Sequence, residues 1–207
     1  KIEKKLEYIK EKPFRLEKEI QDLTEENLKI ILGLDFVKSE FALNNFRIDT
    51  LAFDKEANAF VIIEYKRDKN FSVIDQGYAY LSLMLNNKAD FILEFNENLD
   101  KTLKRNDVDW SQSRVLFISP AFTNYQREAI NLKDLPIELW EVKRFENNII
   151  SYDQIQKAGS QESIKTISKT DHTIDNVAKE IKVYSEQKHL EKVNEEIIEL
   201  YEKFKSA

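Results

Sequence analysis

Phe46-Arg47-Ile48-Asp49-Thr50-Leu51 and, beyond the polar turn Asp54 to Asn58, Ala59-Phe60-Val61-Ile62-Ile63-Glu64-Tyr65-Lys66-Arg67 are the most informative segments of this chain. Both runs have strand length, and the turn between them has hairpin length. Side chains alternate across a strand, so Glu64 and Lys66 project from one face of a strand whose preceding residues, Phe60 to Ile63, are all apolar. A carboxylate and an ammonium placed there cost several kcal/mol each in desolvation, whereas a surface-type pair returns only about 0–1 kcal/mol. If hairpin pairing brings Asp49 beside Glu64, two carboxylates converge, and a divalent cation with oxygen ligands relieves their repulsion. Lys66 then stands one residue pair away, suited to orient or deprotonate a water. The competing reading is a surface ion-pair cluster at the end of a sheet.

Upstream, Ile2, Leu6 and Ile9 recur at helical spacing and predict a short amphipathic arm over 1–13, which Pro13 ends. A second helix from Phe14 carries Leu16, Ile20 and Leu23, restarts at Thr24-Glu25-Glu26 with Leu28, Ile31 and Leu32, and closes at Gly33. Strands are expected at Phe36 to Leu43, Phe46 to Asp54 and Ala59 to Lys66. Ser72 then starts a helix that ends at Asn86-Asn87. Phe91 to Phe95 reads as a strand, Glu97 to Arg105 as a polar helix, Val115 to Ile118 as a buried strand, Asn124 to Leu132 as a helix and Ile137 to Phe145 as the last strand. This order predicts one α/β domain over 14–152, a mixed sheet flanked by helices. Gln156 to Thr170 has no aromatic residue and reads as linker, placing a boundary segment over 153–172. Over 173–207 an apolar stripe through Val177, Ile181, Tyr184, Leu190, Val193, Ile197, Leu200 and Phe204 predicts a helical tail in two pieces. It packs on its own domain, pairs two chains or leads to a further domain. A start at Lys1 and a stop at Ala207 in mid-pattern read as a piece of something longer.

With 207 residues, 42% hydrophobic and 34% charged, the chain suits one globular domain with a charged appendage. The absence of Cys removes disulfides, zinc–cysteine sites, iron–sulfur clusters and thiol catalysis. Two histidines, His172 and His189, leave almost no material for a histidine metal centre or a Ser-His-Asp triad. Chemistry must run on carboxylates, Lys, Tyr or Ser. The apolar runs are far shorter than a membrane span and no signal core follows the N-terminus, so a cytoplasmic protein without a membrane partner is expected.

Asp49 followed by Glu64-Tyr65-Lys66 resembles the D…ExK signature of the PD-(D/E)xK nuclease superfamily, whose core shares the helix-strand-strand-strand-helix-strand order. Gln76 and Tyr80 form a QxxxY pattern one helix later, similar to the RecB-like branch. Leu16-Glu17-Lys18-Glu19-Ile20 resembles the acidic first helix that adds a carboxylate in resolvase-like and mismatch-endonuclease members. Over roughly 14–85 the chain looks like the catalytic domain of NucS-type (EndoMS) mismatch endonucleases, with Arg47-Ile48-Asp49 at their Arg-Ile-Asp step. Thr50 replaces the usual leucine, Tyr65 stands where Leu is frequent, and no N-terminal DNA-binding domain is recognisable, so mismatch specificity is not implied.

The resemblance implies a restriction-endonuclease-like fold and a metal-dependent endonuclease acting on DNA, in repair or defence. Asp49, Glu64 and the Tyr65 carbonyl would hold Mg²⁺ or Mn²⁺, Lys66 would activate water, and Glu17 would complete the shell. Gln76 and Tyr80 would support the substrate phosphate or Lys66. The spacing to Ile20 in the family-like pattern favours Glu17 over Glu19, whereas the helical stripe of Leu16, Ile20 and Leu23 leaves the two on opposite flanks. Arg47, Arg67 and Lys69 are candidates for backbone phosphate contacts. Glu40 either reaches the site or faces solvent. The net charge of −6 weighs against a general nucleic-acid coat protein, but a nuclease needs only a local basic patch around its carboxylates. A homodimer through the C-terminal helices would supply the two sites of a double-strand cut. The alternative function is a catalytically silent nuclease-fold module that binds nucleic acid or a protein partner.

Overall fold

The computed structural model describes residues 7–69, 71–132, 134–157, 177, 180 and 193–205. Its centre is β3 (Ala59–Tyr65), in which every residue is buried. A strand covered on both faces reads as a continuous apolar run, and Phe60 to Ile63 is that run. Antiparallel β2 (Phe46–Asp54) pairs with it on one side and parallel β4 (Arg114–Ser119) on the other. Next to β2 lies antiparallel β1 (Asp35–Leu43), and beyond β4 come parallel β5 (Ile137–Arg144) and antiparallel β6 (Ile150–Gln154). The result is a six-stranded mixed sheet in the order β1-β2-β3-β4-β5-β6.

Helices cover both faces. On one, α1 (Glu17–Glu26) and α2 (Leu28–Leu32) close Ile20 and Leu28 over Val61, Ile63, Tyr65 and Leu116. Gly33 ends α2 with φ +72, a left-handed turn that glycine adopts without side-chain clash. On the other face, α3 (Val73–Asn86) and α4 (Lys88–Leu99) bury Tyr80, Leu81, Met84, Phe91 and Phe95 over Phe60, Ile62 and Phe117. Ser72 caps α3 by accepting from the Asp75 N–H, as its position in the sequence suggests.

Several expectations are corrected. Phe91 to Phe95 lies within α4 and is not a strand; Phe91 and Phe95, four apart, sit at 5.3 Å from Phe41 and 4.7 Å from Phe53, while Leu93 is exposed. A strand would have put Leu93 on their side. The polar helix over Glu97 to Arg105 is absent: α4 ends at Leu99, and only a 3₁₀ turn, Arg105–Asp107, follows. The first helix breaks at Asn27, three residues later than Thr24. The described part of the arm is extended, not helical, with Lys12 N–H donating to the Arg144 carbonyl at 2.7 Å and Glu11 bridging Phe145. Around Glu11 and Lys12 tertiary pairing thus overrides the helical expectation; Ile2 and Leu6 lie outside the described residues. An unforeseen strand, β6, folds back on β5 through Asn148, whose φ is +63.

Of the linker over Gln156 to Thr170, residues 158–170 lie outside the described residues, as does most of the tail stripe, while Lys157 Nζ donates to the Leu135 carbonyl. Of the tail, Val177 is buried with the α3 and α4 cluster, Glu180 lies 3.5 Å from Lys88, and α5 (Glu195–Lys205) exposes Ile197, Leu200 and Phe204. Among the described residues no helix is long and apolar enough to cross a membrane.

Gly77 sets how closely α3 lies on the sheet: a Cβ there would run into Ile137 Cδ1 and come within 3.0 Å of Ile137 Cγ1 and 3.5 Å of Phe117 Cε2. Gly77→Val is expected to destabilise the fold by about 1–3 kcal/mol through overpacking, read as a lower urea midpoint at unchanged slope.

Candidate active site

Glu64 ends the apolar run of β3 with 4% of its surface exposed. Burial of a carboxylate demands partners, and three side chains supply them. Lys66 Nζ lies 2.6 Å and Gln76 Nε2 2.7 Å from Oε1, and the Tyr80 hydroxyl lies 2.9 Å from Oε2. Gln76 and Tyr80 are four apart on α3 and share a face, so one helical turn presents both groups to one carboxylate. Gln76 also donates to the Tyr80 oxygen at 3.2 Å, with the Arg47 carbonyl at 3.2 Å as a competing acceptor for the Tyr80 proton. Burial first, and the Glu64 carboxylate second, push the Tyr80 hydroxyl far above the usual tyrosine range, which keeps it a donor. The QxxxY pair therefore meets Glu64, and no hydrogen bond joins either residue to Lys66, one of the two partners, with the substrate phosphate, that the resemblance implies for them.

Asp49 lies where the hairpin pairing puts it. The β2–β3 register runs from Asp54↔Ala59 to Thr50↔Ile63, and one further step sets Asp49 opposite Glu64. There the Asp49 side chain replaces a ladder partner: Oδ2 accepts the Tyr65 N–H at 3.0 Å. Burial, and then the nearby Glu64 charge, push the Asp49 carboxyl up to about 6, against the opposing pull of the Tyr65 N–H and Lys66. Two carboxylates thus share a place where one alone would ionise more readily.

The remaining predicted residues fall around this pair. Glu17 Oε1 accepts the Arg67 N–H at 3.0 Å, so it reaches the segment that follows Lys66. Glu19 points elsewhere, 3.0 Å from Arg144. Arg67 is tied to Asp68 at 2.9 Å and to the Arg15 carbonyl at 2.9 Å. Arg47 is largely exposed and pairs with Glu40 at 2.9 Å. Lys69 is exposed, and its carbonyl and that of Phe71 accept from Gln126 Nε2 at 3.1 and 2.9 Å, which pins the loop beside Lys66.

Two more residues meet here, and of these Gln21 is unforeseen. Glu40, left open between site and solvent, opposes Asp49 on β1 with φ +52, a left-handed backbone in mid-strand that costs on the order of 1–3 kcal/mol. Gln21, buried on α1, donates to the Asp49 carbonyl at 3.0 Å and to Glu40 Oε1 at 3.1 Å. Glutamine is an ordinary helix former, and its one sequence signal is a position one turn beyond Glu17 on the same helix face.

Among the described residues no three His, Cys, Asp or Glu side chains are grouped closely enough to hold a metal. The donor set still fits Mg²⁺ or Mn²⁺, because Mg²⁺ is commonly held by one or two carboxylates, with water and substrate phosphate completing its shell. The mutual repulsion of Asp49 and Glu64 is the feature that a cation would relieve.

Because its carboxyl is raised in the fold, Asp49 favours the folded state fully below about pH 4 and loses that contribution as pH rises through about 6. Asn at this position keeps an oxygen for the Tyr65 N–H without the charge. In metal-free buffer Asp49→Asn is expected to raise stability at pH 7.5 by up to roughly 3 kcal/mol and to give no gain near pH 4, measured by thermal melts across that range.

No family model matches the chain. It is 56% identical over 202 residues to an uncharacterized protein of Haemophilus influenzae (strain ATCC 51907 / DSM 11121 / KW20 / Rd), a match covering 98% of this chain and 67% of that one. Looser likeness of fold is found with EndoMS in complex with double-stranded DNA, with TM-score 0.41, 17% identity and coverage of 63% of this chain and 47% of that one. A repair endonuclease from Pyrococcus abyssi gives TM-score 0.35, 20% identity and coverage of 64% and 50%. The chain spans about half the length of these two structures. At 56% identity over nearly its whole length, the chain belongs to the family of the Haemophilus influenzae protein.

Proposed function

We propose that the chain is the catalytic domain of a metal-dependent endonuclease that hydrolyses DNA phosphodiester bonds. The observation that carries this reading is Glu64, a buried carboxylate held by Lys66, Gln76 and Tyr80 and set against a second carboxylate, Asp49. A purely structural ion pair gains nothing from a repelling neighbour. Asp49 and Glu64, with the Tyr65 carbonyl, would hold Mg²⁺ or Mn²⁺. When bound, the ion would polarise the phosphorus centre and stabilise the leaving oxygen.

The chain's own residues do the rest. Lys66 Nζ, which donates to Glu64, stands beside it to orient and polarise the attacking water, whose proton passes to solvent as the new P–O bond forms and the P–O bond to the sugar oxygen breaks, that oxygen taking a proton from solvent. Gln76 and Tyr80 hold Glu64 in the orientation this requires. Glu17 fixes the Arg67 main chain at the rim of the site. Arg47, Arg67 and Lys69, all exposed, are placed to meet backbone phosphates of DNA. A second copy engaged through the C-terminal helices would provide the second site of a double-strand cut.

Cleavage of plasmid, single-stranded and mismatched DNA with Mg²⁺ or Mn²⁺ and with EDTA tests the proposal. Cutting is expected only with metal, absent in Glu64→Ala and lowered about 10²-fold or more in Lys66→Ala. No cutting by the folded wild type would leave a nuclease-fold module that binds nucleic acid or a protein partner without turnover.

A further inference from the structure

We infer that Gln21 is the positioning residue for Asp49: its side-chain amide supplies a hydrogen bond to the Asp49 carbonyl at the point where the β1–β2 ladder opens. The ladder pairs Ser39 with Thr50 and Phe41 with Ile48, yet Glu40 and Asp49 between them are not partnered. Glu40 has φ +52, which turns its peptide groups out of the plane that an antiparallel partner needs. Gln21 fills this gap from α1. Its Nε2 lies 3.0 Å from the Asp49 carbonyl, 3.1 Å from Glu40 Oε1, 3.2 Å from Ser39 Oγ and 3.0 Å from Glu25 Oε1. Two N–H groups thus face four acceptors, and the amide is committed to this oxygen-rich crossing of α1, β1 and β2.

Asp49 is consequently held twice. Gln21 fixes its main chain from the α1 side, and the Tyr65 N–H fixes its carboxylate from β3. Without the first hold, the second has a movable acceptor. The Tyr65 amide is therefore a direct reporter on Asp49, independent of any metal.

Amide hydrogen exchange on the full chain provides the test. In Gln21→Met, which keeps the shape and removes both donors, protection at Tyr65 is expected to fall about tenfold or more, while Ile62 in the middle of β3 keeps its own. Gln21→Lys retains a donor and is expected to keep Tyr65 protected; it carries the test where the Met variant does not fold. Unchanged protection at Tyr65 in Gln21→Met, or its loss in Gln21→Lys, overturns the inference. Its consequence for metal rests on the nuclease reading: by calorimetry, Mn²⁺ should bind Gln21→Met about 10–100-fold more weakly than wild type, the range for a residue that orients a ligand. If Mn²⁺ binds wild type and Asp49→Asn equally, the nuclease reading fails, and the Tyr65 exchange still decides whether Gln21 positions Asp49.

Discussion

Burying the Glu64 side chain in a sheet interior requires several donors at hand, and Lys66, Gln76 and Tyr80 supply them. A carboxylate with 4% exposure and a single partner would lose more in desolvation than that partner returns. The ExK spacing brings Lys66 back to the same side of the strand, and α3 crosses at the point where Gln76 and Tyr80 both reach the carboxylate. That crossing depends in turn on Gly77, the residue next to Gln76, because a side chain there would collide with Ile137. The need of a buried carboxylate for a donor and the need for close packing are met by adjacent residues of one helical turn.

Asp49 shows the opposite economy. Its two flanking ladders are both interrupted, on the β1 side by the left-handed Glu40 and on the β3 side where the paired register stops at Thr50↔Ile63. The freed groups are taken up by Gln21 and by the Asp49 side chain itself. A sheet optimised for stability alone would close both gaps and place an uncharged residue at this position. Local strain and a repelled carboxylate held in place by surrounding structure are the pattern expected where a site is built for binding or chemistry.

The hairpin of β2 and β3 was legible because polar turn residues bound apolar runs of strand length, and the QxxxY pair because a spacing of four has one meaning on a helix. Phe91 to Phe95 was not, since a run of five residues with four apolar members satisfies both periods, and only the aromatic cluster of Phe41, Phe53 and Phe60 selects the helix. β6 gives no signal because it is a short edge strand whose only apolar side chains are Ile150 and Tyr152. Within the site, residue types with intrinsic chemistry stood out, whereas Gln21 takes its meaning from an opening in the sheet that no local pattern announces.

On the proposed reading, Asp49 and Glu64 are kept together, against their repulsion, to share a divalent cation. The most direct measurement is an anomalous difference map from crystals of the protein soaked in millimolar Mn²⁺. The account predicts a peak touching carboxylate oxygens of both residues and lost in Asp49→Asn crystals. An intact, well-ordered site with no peak between the two carboxylates would contradict it.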